Sequence, residues 1–251
     1  MNETLTLSPS CLQQSTVLTS LQQQFPDLRF HPENLSVLRD TGHCANAVVM
    51  RYKDNNLDLV IKDFARCNWL LRKTFARFIV GHEAQVLNRL AGQPGITPNC
   101  YRLSESMLAY PFIEGTPLSK IKQSGQRLPR QFFTDFEKLV SRMHQQGLVH
   151  LDLRNLGNVL VGPDGKPYCI DFQSAIGFRS FPAGLQRFMK GADITGVYKA
   201  WKILCEEPLP AEHAVYLEEY NQVRKRWIFR GYPVARLKRR LKRLICSRSR
   251  S

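Results

Sequence analysis

The sequence lacks long apolar runs, and it lacks the start that secretory signals share. No stretch of about 18 consecutive apolar residues occurs, so we expect no segment that spans a bilayer. Residues 1–20 are mostly polar and contain Glu3, in place of a basic start followed by an apolar stretch. These absences argue against an integral membrane protein, and we expect a cytoplasmic location.

Cysteine pairs at the spacing of metal-binding motifs are also absent. The seven cysteines are scattered and none forms a C-x-x-C pair, which argues against a zinc site and against a disulfide framework. We interpret all seven as buried, inert thiols in a reducing compartment.

Acidic residues are missing from the C-terminal segment, and this makes the net charge of +15 uneven. From Arg224 onward there are 12 Arg and Lys residues and no Asp or Glu, whereas the preceding residues carry 24 basic against 21 acidic side chains. The greater part of the chain is therefore nearly neutral, and the positive charge belongs to a tail.

The remaining composition, with 43% apolar and 23% charged residues, is that of a globular protein, and the strands and helices predicted next make its fold class α+β. Apolar runs between turn residues predict strands at residues 47–50, 57–61, 107–113, 159–161 and 168–170. Helical spacing of apolar residues predicts helices at residues 69–90, 130–146 and over most of the chain after residue 184. A β-rich first part and a helical second part predict two lobes with a cleft between them.

The strongest chemical signal is the segment HLDLRNLGN at residues 150–158, followed by two short strands and the triplet Asp171-Phe172-Gln173. The strands place Asp152, Asn158 and Asp171 at the ends of one hairpin. A kinase needs this set, because one Asp orients the acceptor hydroxyl and accepts its proton while the Asn and the second Asp hold Mg²⁺. An ordinary hairpin with polar ends is the competing interpretation.

These motifs resemble those of the protein-kinase-like superfamily, whose catalytic loop reads H-x-D-x-x-x-x-N and whose metal motif reads D-F-G. The resemblance implies a bilobal kinase that uses ATP and Mg²⁺, with Asp152 as catalytic aspartate and with Asn158 and Asp171 as metal ligands. The implied organisation is an N-terminal extension at 1–34, an N-lobe at 35–110, a C-lobe at 111–223 and a basic tail at 224–251.

Two departures from the superfamily pattern stand out. Asn158 lies six residues after Asp152 instead of five, so either the loop bulges and Asn158 still reaches the metal, or Asn155 or another group substitutes. Gln173 replaces the glycine of D-F-G, which predicts a fixed metal loop because glycine is the residue that permits backbone flips.

Further nucleotide contacts are implied by the same resemblance. Lys62, at the end of a strand, matches the lysine that grips the α- and β-phosphates, and Glu83 matches its helix partner. Phosphate contacts are implied in a loop similar to that of RIO-type kinases, at Thr41, Gly42, Ala45 and Val48. Backbone groups of the hinge-like segment would meet adenine at Phe112 and Ile113. Asp193 resembles the helix aspartate that braces the catalytic loop.

Within the superfamily the chain is most similar to small lipopolysaccharide-core (Kdo/heptose) kinases and to RIO-like kinases of bacteria. No A-P-E motif follows Asp171, so we expect a short activation segment without a phosphorylation site. Our first hypothesis is a kinase of a lipopolysaccharide-core sugar hydroxyl. The alternatives are a RIO-like serine/threonine protein kinase and a nucleotide-binding pseudokinase that scaffolds a partner.

The tail is predicted to form a basic amphipathic helix, since Val234, Leu237, Leu241 and Leu244 recur at helical spacing among Arg and Lys residues. Such helices bind anionic membrane surfaces, and we favour a peripheral contact of Arg224–Ser251 with the inner membrane. A solvated helix packed on the C-lobe is the next interpretation, and nucleic acid is the least favoured partner.

Overall fold

The computed structural model describes residues 9–40, 47–65 and 77–226, which fall into two units. The first unit contains the residues up to Ala84 together with Asn99–Phe112, and the second contains Gln85–Pro98 together with the residues from Ile113 onward. A β-sheet forms the first unit and helices dominate the second, which confirms the predicted fold class.

The first unit is built on a five-stranded antiparallel sheet in the order β1-β2-β3-β5-β4. Its strands are β1 Leu35–Arg39, β2 Val48–Lys53, β3 Asp58–Asp63, β4 Tyr101–Arg102 and β5 Met107–Pro111. The strands predicted at residues 47–50 and 57–61 are confirmed as β2 and β3, which pair as a hairpin. Its turn is closed by Asp54 Oδ1, which accepts the backbone N–H groups of Asn56 and Leu57 at 2.7 Å each.

One face of this sheet is covered by helix α1, Pro9–Gln24, which the sequence did not predict. Val17 and Leu21 of α1 are fully buried in a cluster that includes Leu59 and Ile61 of β3. Because side chains alternate along a strand, Lys62 projects from the opposite face. A hydrogen bond of 2.6 Å from Gln13 Nε2 to Asp63 Oδ2 fixes α1 to the end of β3.

Helix α2, Arg77–Arg89, occupies the last part of the predicted helix at residues 69–90. Residues 66–76, which carry the remainder of that prediction, lie outside the described residues. The division between the two units falls within α2.

The second unit contains helices α3 Leu118–Ser124, α4 Arg130–Gln145, α5 Ala183–Leu204 and α6 Ala211–Arg226. Its short strands are β6 Thr116–Pro117, β7 Leu148–Val149, β8 Val159–Val161, β9 Pro167–Cys169 and β10 Ile176–Gly177. They form a β6-β8-β9 sheet and a β7-β10 pair. The predicted helix at 130–146 is confirmed as α4, and Gly147, with a φ of +76°, follows its end as expected of a C-terminal glycine.

No helix in the described part of the chain is long and apolar enough to cross a membrane. The predicted amphipathic tail lies outside the described residues from position 227 onward.

The environment of three cysteines is described: Cys169 and Cys205 are buried, as expected, whereas Cys100 is only partly buried. Burial, together with the negative charge of Glu83, raises the pKa of the Cys100 thiol to about 12, although Lys62 acts in the opposite direction. Burial also raises the pKa of Cys169 and Cys205 above the ordinary value for a thiol. Because the thiolate is the reactive form, a raised pKa lowers the reactivity of these thiols at neutral pH.

We therefore expect Cys100 to react with iodoacetamide at pH 8 at least about 100-fold more slowly than glutathione does, and Cys169 and Cys205 also to react more slowly than glutathione. Below its raised pKa each thiol stays protonated, so the rate should rise as pH increases. Peptide mapping by mass spectrometry measures each site separately, and the denatured chain serves as the fully reactive control. A glutathione-like rate at Cys100 in the folded protein would contradict the burial seen here.

Candidate active site

Strand β3 and helix α2 bring together Lys62 and Glu83, the predicted phosphate-binding lysine and its helix partner. Lys62 Nζ donates to Glu83 Oε1 at 2.6 Å, and the two side chains are 3% and 0% exposed as residues. Lys62 Nζ also lies 5.6 Å from the centroid of the Tyr110 ring. Burying an ion pair costs about as much desolvation energy as the attraction between its charges returns, so this pair is weak evidence of stabilisation.

The predicted phosphate-covering loop is only partly described. Thr41, Gly42 and Ala45 lie outside the described residues, whereas Val48 begins β2 and is buried. In the predicted hinge, the Phe112 N–H donates to the Asp58 carbonyl oxygen at 2.8 Å and is therefore engaged within the first unit. The predicted backbone contacts with adenine at Phe112 and Ile113 therefore exclude the Phe112 N–H group.

In the second unit the structure joins Asp152 to Asn158. The Asn158 side-chain amide donates to Asp152 Oδ2 at 2.9 Å and to the Asp152 carbonyl oxygen at 3.2 Å. Asn158 is 5% exposed, so this amide is held inside the protein while Asp152 remains partly exposed. The two predicted polar groups thus lie side by side despite their unusual spacing.

The extra residue between Asp152 and Asn158 is accommodated by a short 3₁₀ turn at Leu156–Asn158. Asn155 caps this turn, because its Oδ1 accepts the Gly157 N–H at 3.1 Å. Its Nδ2 donates to Asn158 Oδ1 at 3.2 Å, so Asn155 orients the Asn158 amide. Of the alternatives left open by the sequence, the geometry favours a bulged loop in which Asn158 still lies beside Asp152.

The backbone before Asp152 is fixed by Asp193 of α5. Asp193 Oδ2 accepts the His150 N–H at 2.8 Å, and its Oδ1 accepts the Leu151 N–H at 2.7 Å. His144 Nε2 lies 3.1 Å from the same carboxylate, which is fully buried. Leu151 has a φ of +65°, a strained conformation for a leucine that persists only where its surroundings enforce it. The Asp193 bonds supply that enforcement.

His150 connects the catalytic loop to the segment before Asp171. Its Nδ1 accepts the Asp152 N–H at 3.4 Å, so its Nε2 carries the proton that it donates to the Ile170 carbonyl oxygen at 3.1 Å. The ring also packs on Phe172, with centroids 4.7 Å apart.

The turn after Asp171 shows why glycine is not required there. Asp171 itself takes the left-handed conformation, with a φ of +64°, and caps a 3₁₀ turn at Phe172–Ser174. Gln173 lies inside that turn, where a residue with a side chain fits without strain. The replacement of glycine by Gln173 is therefore compatible with an ordered metal loop.

The RIO domain family matches residues 42–200, well over half of the chain. The chain belongs to this family. Its members are atypical kinases of the protein-kinase-like superfamily, which bind ATP and usually Mg²⁺. A search of curated proteins found no significant match.

Within this RIO domain, the Asp152 carboxyl has a pKa above the ordinary value for an aspartate. Burial raises the pKa of Asp152, and the negative charge of Asp171 acts in the same direction, whereas the hydrogen bond from Asn158 opposes it. A carboxylate with a raised pKa binds a proton more strongly than an ordinary carboxylate does.

The donor set of the RIO domain fits Mg²⁺. Asp171 and Asn158 offer hard carboxylate and amide oxygens, which this ion prefers. Within the described residues, no group of three or more His, Cys, Asp and Glu side chains could hold a metal alone. A Mg²⁺ ion on these residues would complete its coordination with phosphate oxygens and water, as is usual for it.

Two residues that the sequence analysis missed also shape this site. Leu151 carries the strained backbone described above, which no sequence pattern signals. Gly196 of α5 lies so close to the loop that a Cβ atom there would be 2.9 Å from the Leu153 carbonyl carbon. The lone glycine in a predicted helix, three residues after Asp193, was the signal that could have revealed this close approach.

We expect Asp193→Asn to lower the free energy of unfolding by about 1–3 kcal/mol, because an amide can accept only one of the two buried N–H groups. Urea denaturation measures the change. Asp135→Asn changes a partly exposed residue of α4 that forms an ion pair with Lys138; it is the matched control and should change stability by less than about 0.5 kcal/mol. Equal effects of the two variants would refute the bracing role of Asp193.

Proposed function

We propose that this RIO domain is an ATP-dependent phosphotransferase that transfers the γ-phosphate to a hydroxyl group of an acceptor. The observation that carries the proposal is the hydrogen-bonded pair of Asp152 and Asn158 on a loop braced by Asp193. A structural hairpin needs none of these buried polar contacts, whereas phosphoryl transfer needs an oriented carboxylate beside a metal ligand.

In this proposal each residue has a separate task. Asp152 orients the acceptor hydroxyl and accepts its proton, for which its raised pKa is suited. Lys62, held by Glu83, binds the α- and β-phosphates. Asn158 and Asp171 would hold Mg²⁺, which when bound neutralises charge on the phosphates. Catalysis then comes mainly from positioning and from the neutralisation of charge.

We expect Asp152→Asn to lower turnover about 10²- to 10⁴-fold and to leave the affinity for Mg·ATP unchanged, since the carboxylate is proposed to act on the hydroxyl. Asp135→Asn is the control and should retain full turnover. Phosphate transfer from γ-labelled ATP gives the rate, and calorimetry gives the nucleotide affinity. If wild type and Asp152→Asn bind Mg·ATP equally and neither transfers phosphate to any acceptor, the pseudokinase scaffold is the better reading.

For the acceptor we propose a lipopolysaccharide-core sugar at the membrane surface. The sequence of the basic tail supports it, because such a tail suits an anionic surface. A protein acceptor is the second candidate, and the match to the RIO domain family favours it.

Incubation with γ-labelled ATP, with and without purified lipid A-core, distinguishes the two acceptors. We expect the label to appear in the extracted glycolipid and only when lipid A-core is present. Label in the polypeptide alone, at the same level in both incubations, would show self-phosphorylation and reject the glycolipid.

A further inference from the structure

Helix α6 is packed on one side only in the described part of the chain. Leu217 and Tyr220 of α6 are buried, and the Tyr220 hydroxyl donates to the Phe188 carbonyl oxygen of α5 at 2.9 Å. The Tyr220 ring also stacks on the Phe188 ring, with centroids 5.4 Å apart. These contacts fix which side of α6 faces α5, and they leave the other side accessible to water.

The accessible side of α6 carries apolar side chains. Val215 is 58% exposed, Tyr216 is 41% exposed and Val223 is 51% exposed. Positions 215 and 223 are two helical turns apart, so the two valines lie on the same side of α6, with Glu219 between them. Valine is not a strong helix former, so local preference does not account for two exposed valines here.

Carboxylates flank the two valines. Glu212, Glu218 and Glu219 are all exposed. Among residues 9–40, 47–65 and 77–226, no ion pair includes Glu218 or Glu219, and Glu212 pairs only with His213, at 3.8 Å. This side of the helix therefore combines apolar surface with negative charge. We refer to Glu212, Val215, Tyr216, Glu218, Glu219 and Val223 as the outer face of α6.

We propose that residues 234–244 of the C-terminal tail, which lie outside the described residues, dock on the outer face of α6. The sequence predicts an amphipathic helix for this segment, with an apolar stripe formed by Val234, Leu237, Leu241 and Leu244. This stripe would cover the exposed valines of α6. The inference goes beyond the proposed phosphotransferase and does not depend on it.

Charge favours the tail as the occupant of the outer face. Residues 227–251 contain nine Arg and Lys residues and no Asp or Glu, and six of the nine lie at positions 236–243. The outer face offers three carboxylates that no Arg or Lys of the described chain pairs with. Opposite charges around an apolar contact select the partner and fix its position.

The length of the connecting chain fits the same arrangement. Helix α6 ends at Arg226, and seven residues, 227–233, separate it from Val234. Connections between packed neighbouring helices commonly have about two to eight residues. Gly231 and Pro233 in this connection are residues that favour turns. The tail can therefore reverse direction and run back along α6.

An antiparallel arrangement also matches the two apolar surfaces in length. Val215 and Val223 are separated by about 12 Å along the axis of α6, and the apolar positions of residues 234–244 extend over about 15 Å. With Val234 beside Val223, Leu241 comes to lie beside Val215. The basic side chains of the tail then follow the three carboxylates.

Docking on α6 and binding to a membrane exclude each other. The apolar stripe that would cover the outer face is the same stripe that would enter a lipid surface, so the tail can occupy only one of the two at a time. An anionic surface that binds the tail would therefore release it from α6 and expose the outer face.

The test measures how fast trypsin cleaves the tail of the full chain in lipid-free buffer, with mass spectrometry to assign each cut. Trypsin cuts a docked segment only when the segment opens, so the rate reports the open population. A synthetic peptide of residues 227–251 gives the rate for an open tail. We expect cuts at residues 236–243 to be at least about 10-fold slower in the full chain than in the peptide. Equal rates would overturn the proposal.

The double variant Val215→Ser/Val223→Ser removes the apolar contact and should raise the rate of these cuts about 5- to 10-fold. Val37→Ser/Leu38→Ser is the matched control, because both residues are 51% exposed on β1 of the first unit. The control should stay within about twofold of wild type. An equal change in the two double variants would contradict docking on α6.

The carboxylates are tested separately. Glu218→Gln/Glu219→Gln should raise the rate of the same cuts about 3- to 5-fold, because it removes charges that attract the tail. Glu206→Gln/Glu207→Gln is the matched control, since it changes two adjacent exposed glutamates that precede α6. It should leave the rate unchanged. An unaltered rate in Glu218→Gln/Glu219→Gln would remove the charge argument and, with it, the assignment of the tail to this face.

Other occupants of the outer face, or other partners of the tail, give distinct outcomes. Protection by a second copy of the chain would fade on dilution, whereas protection within one chain does not depend on concentration. A tail that is cut at the peptide's rate in lipid-free buffer but is protected by phosphatidylglycerol vesicles has the membrane as its partner. Either outcome would overturn the proposal.

Discussion

The Asp193 carboxylate is the contact on which the geometry of the second unit depends. It is buried within α5 and accepts two successive backbone N–H groups, those of His150 and Leu151. This holds Leu151 in a conformation that leucine does not adopt freely and turns the chain so that Asp152 reaches Asn158. The absent side chain of Gly196 allows α5 to approach the loop closely enough for these bonds. Asp193 therefore joins helix α5 to the loop that contains His150 and Leu151, and loss of its carboxylate would leave this loop without those two hydrogen bonds.

The sequence predicted the elements whose residues carry a strong local signal. The strands β2 and β3 and the helix α4 follow from apolar periodicity, whereas the pairing of Lys62 with Glu83 was implied by the resemblance to the superfamily. The structure contains all of them. Helix α1 was missed, because its few apolar residues lie in a polar sequence and gain their burial only from contact with the sheet. The 3₁₀ turn at Leu156–Asn158 was missed for a related reason, since its cap from Asn155 competes with other local conformations of equal propensity.

The candidate site shows the same limit at the scale of single residues. Residue types and spacing singled out Asp152, Asn158 and Asp171. Spacing could not decide between a bulged loop that keeps Asn158 in position and a loop in which Asn155 or another group replaces it. That outcome depends on hydrogen bonds among Asn155, Asn158 and Asp152, whose geometry exists only in the folded chain.

The position of α1 has a practical consequence for work on the protein. The family match begins at residue 42, whereas α1 and β1 precede it and supply one wall of the core of the first unit. A truncated version that begins at the family boundary would leave the apolar faces of Met50, Leu59 and Ile61 open to water and would remove the Gln13 contact beside Lys62. Such a fragment would tend to aggregate, and inactivity in it would report on a damaged sheet and not on the chemistry of the intact chain.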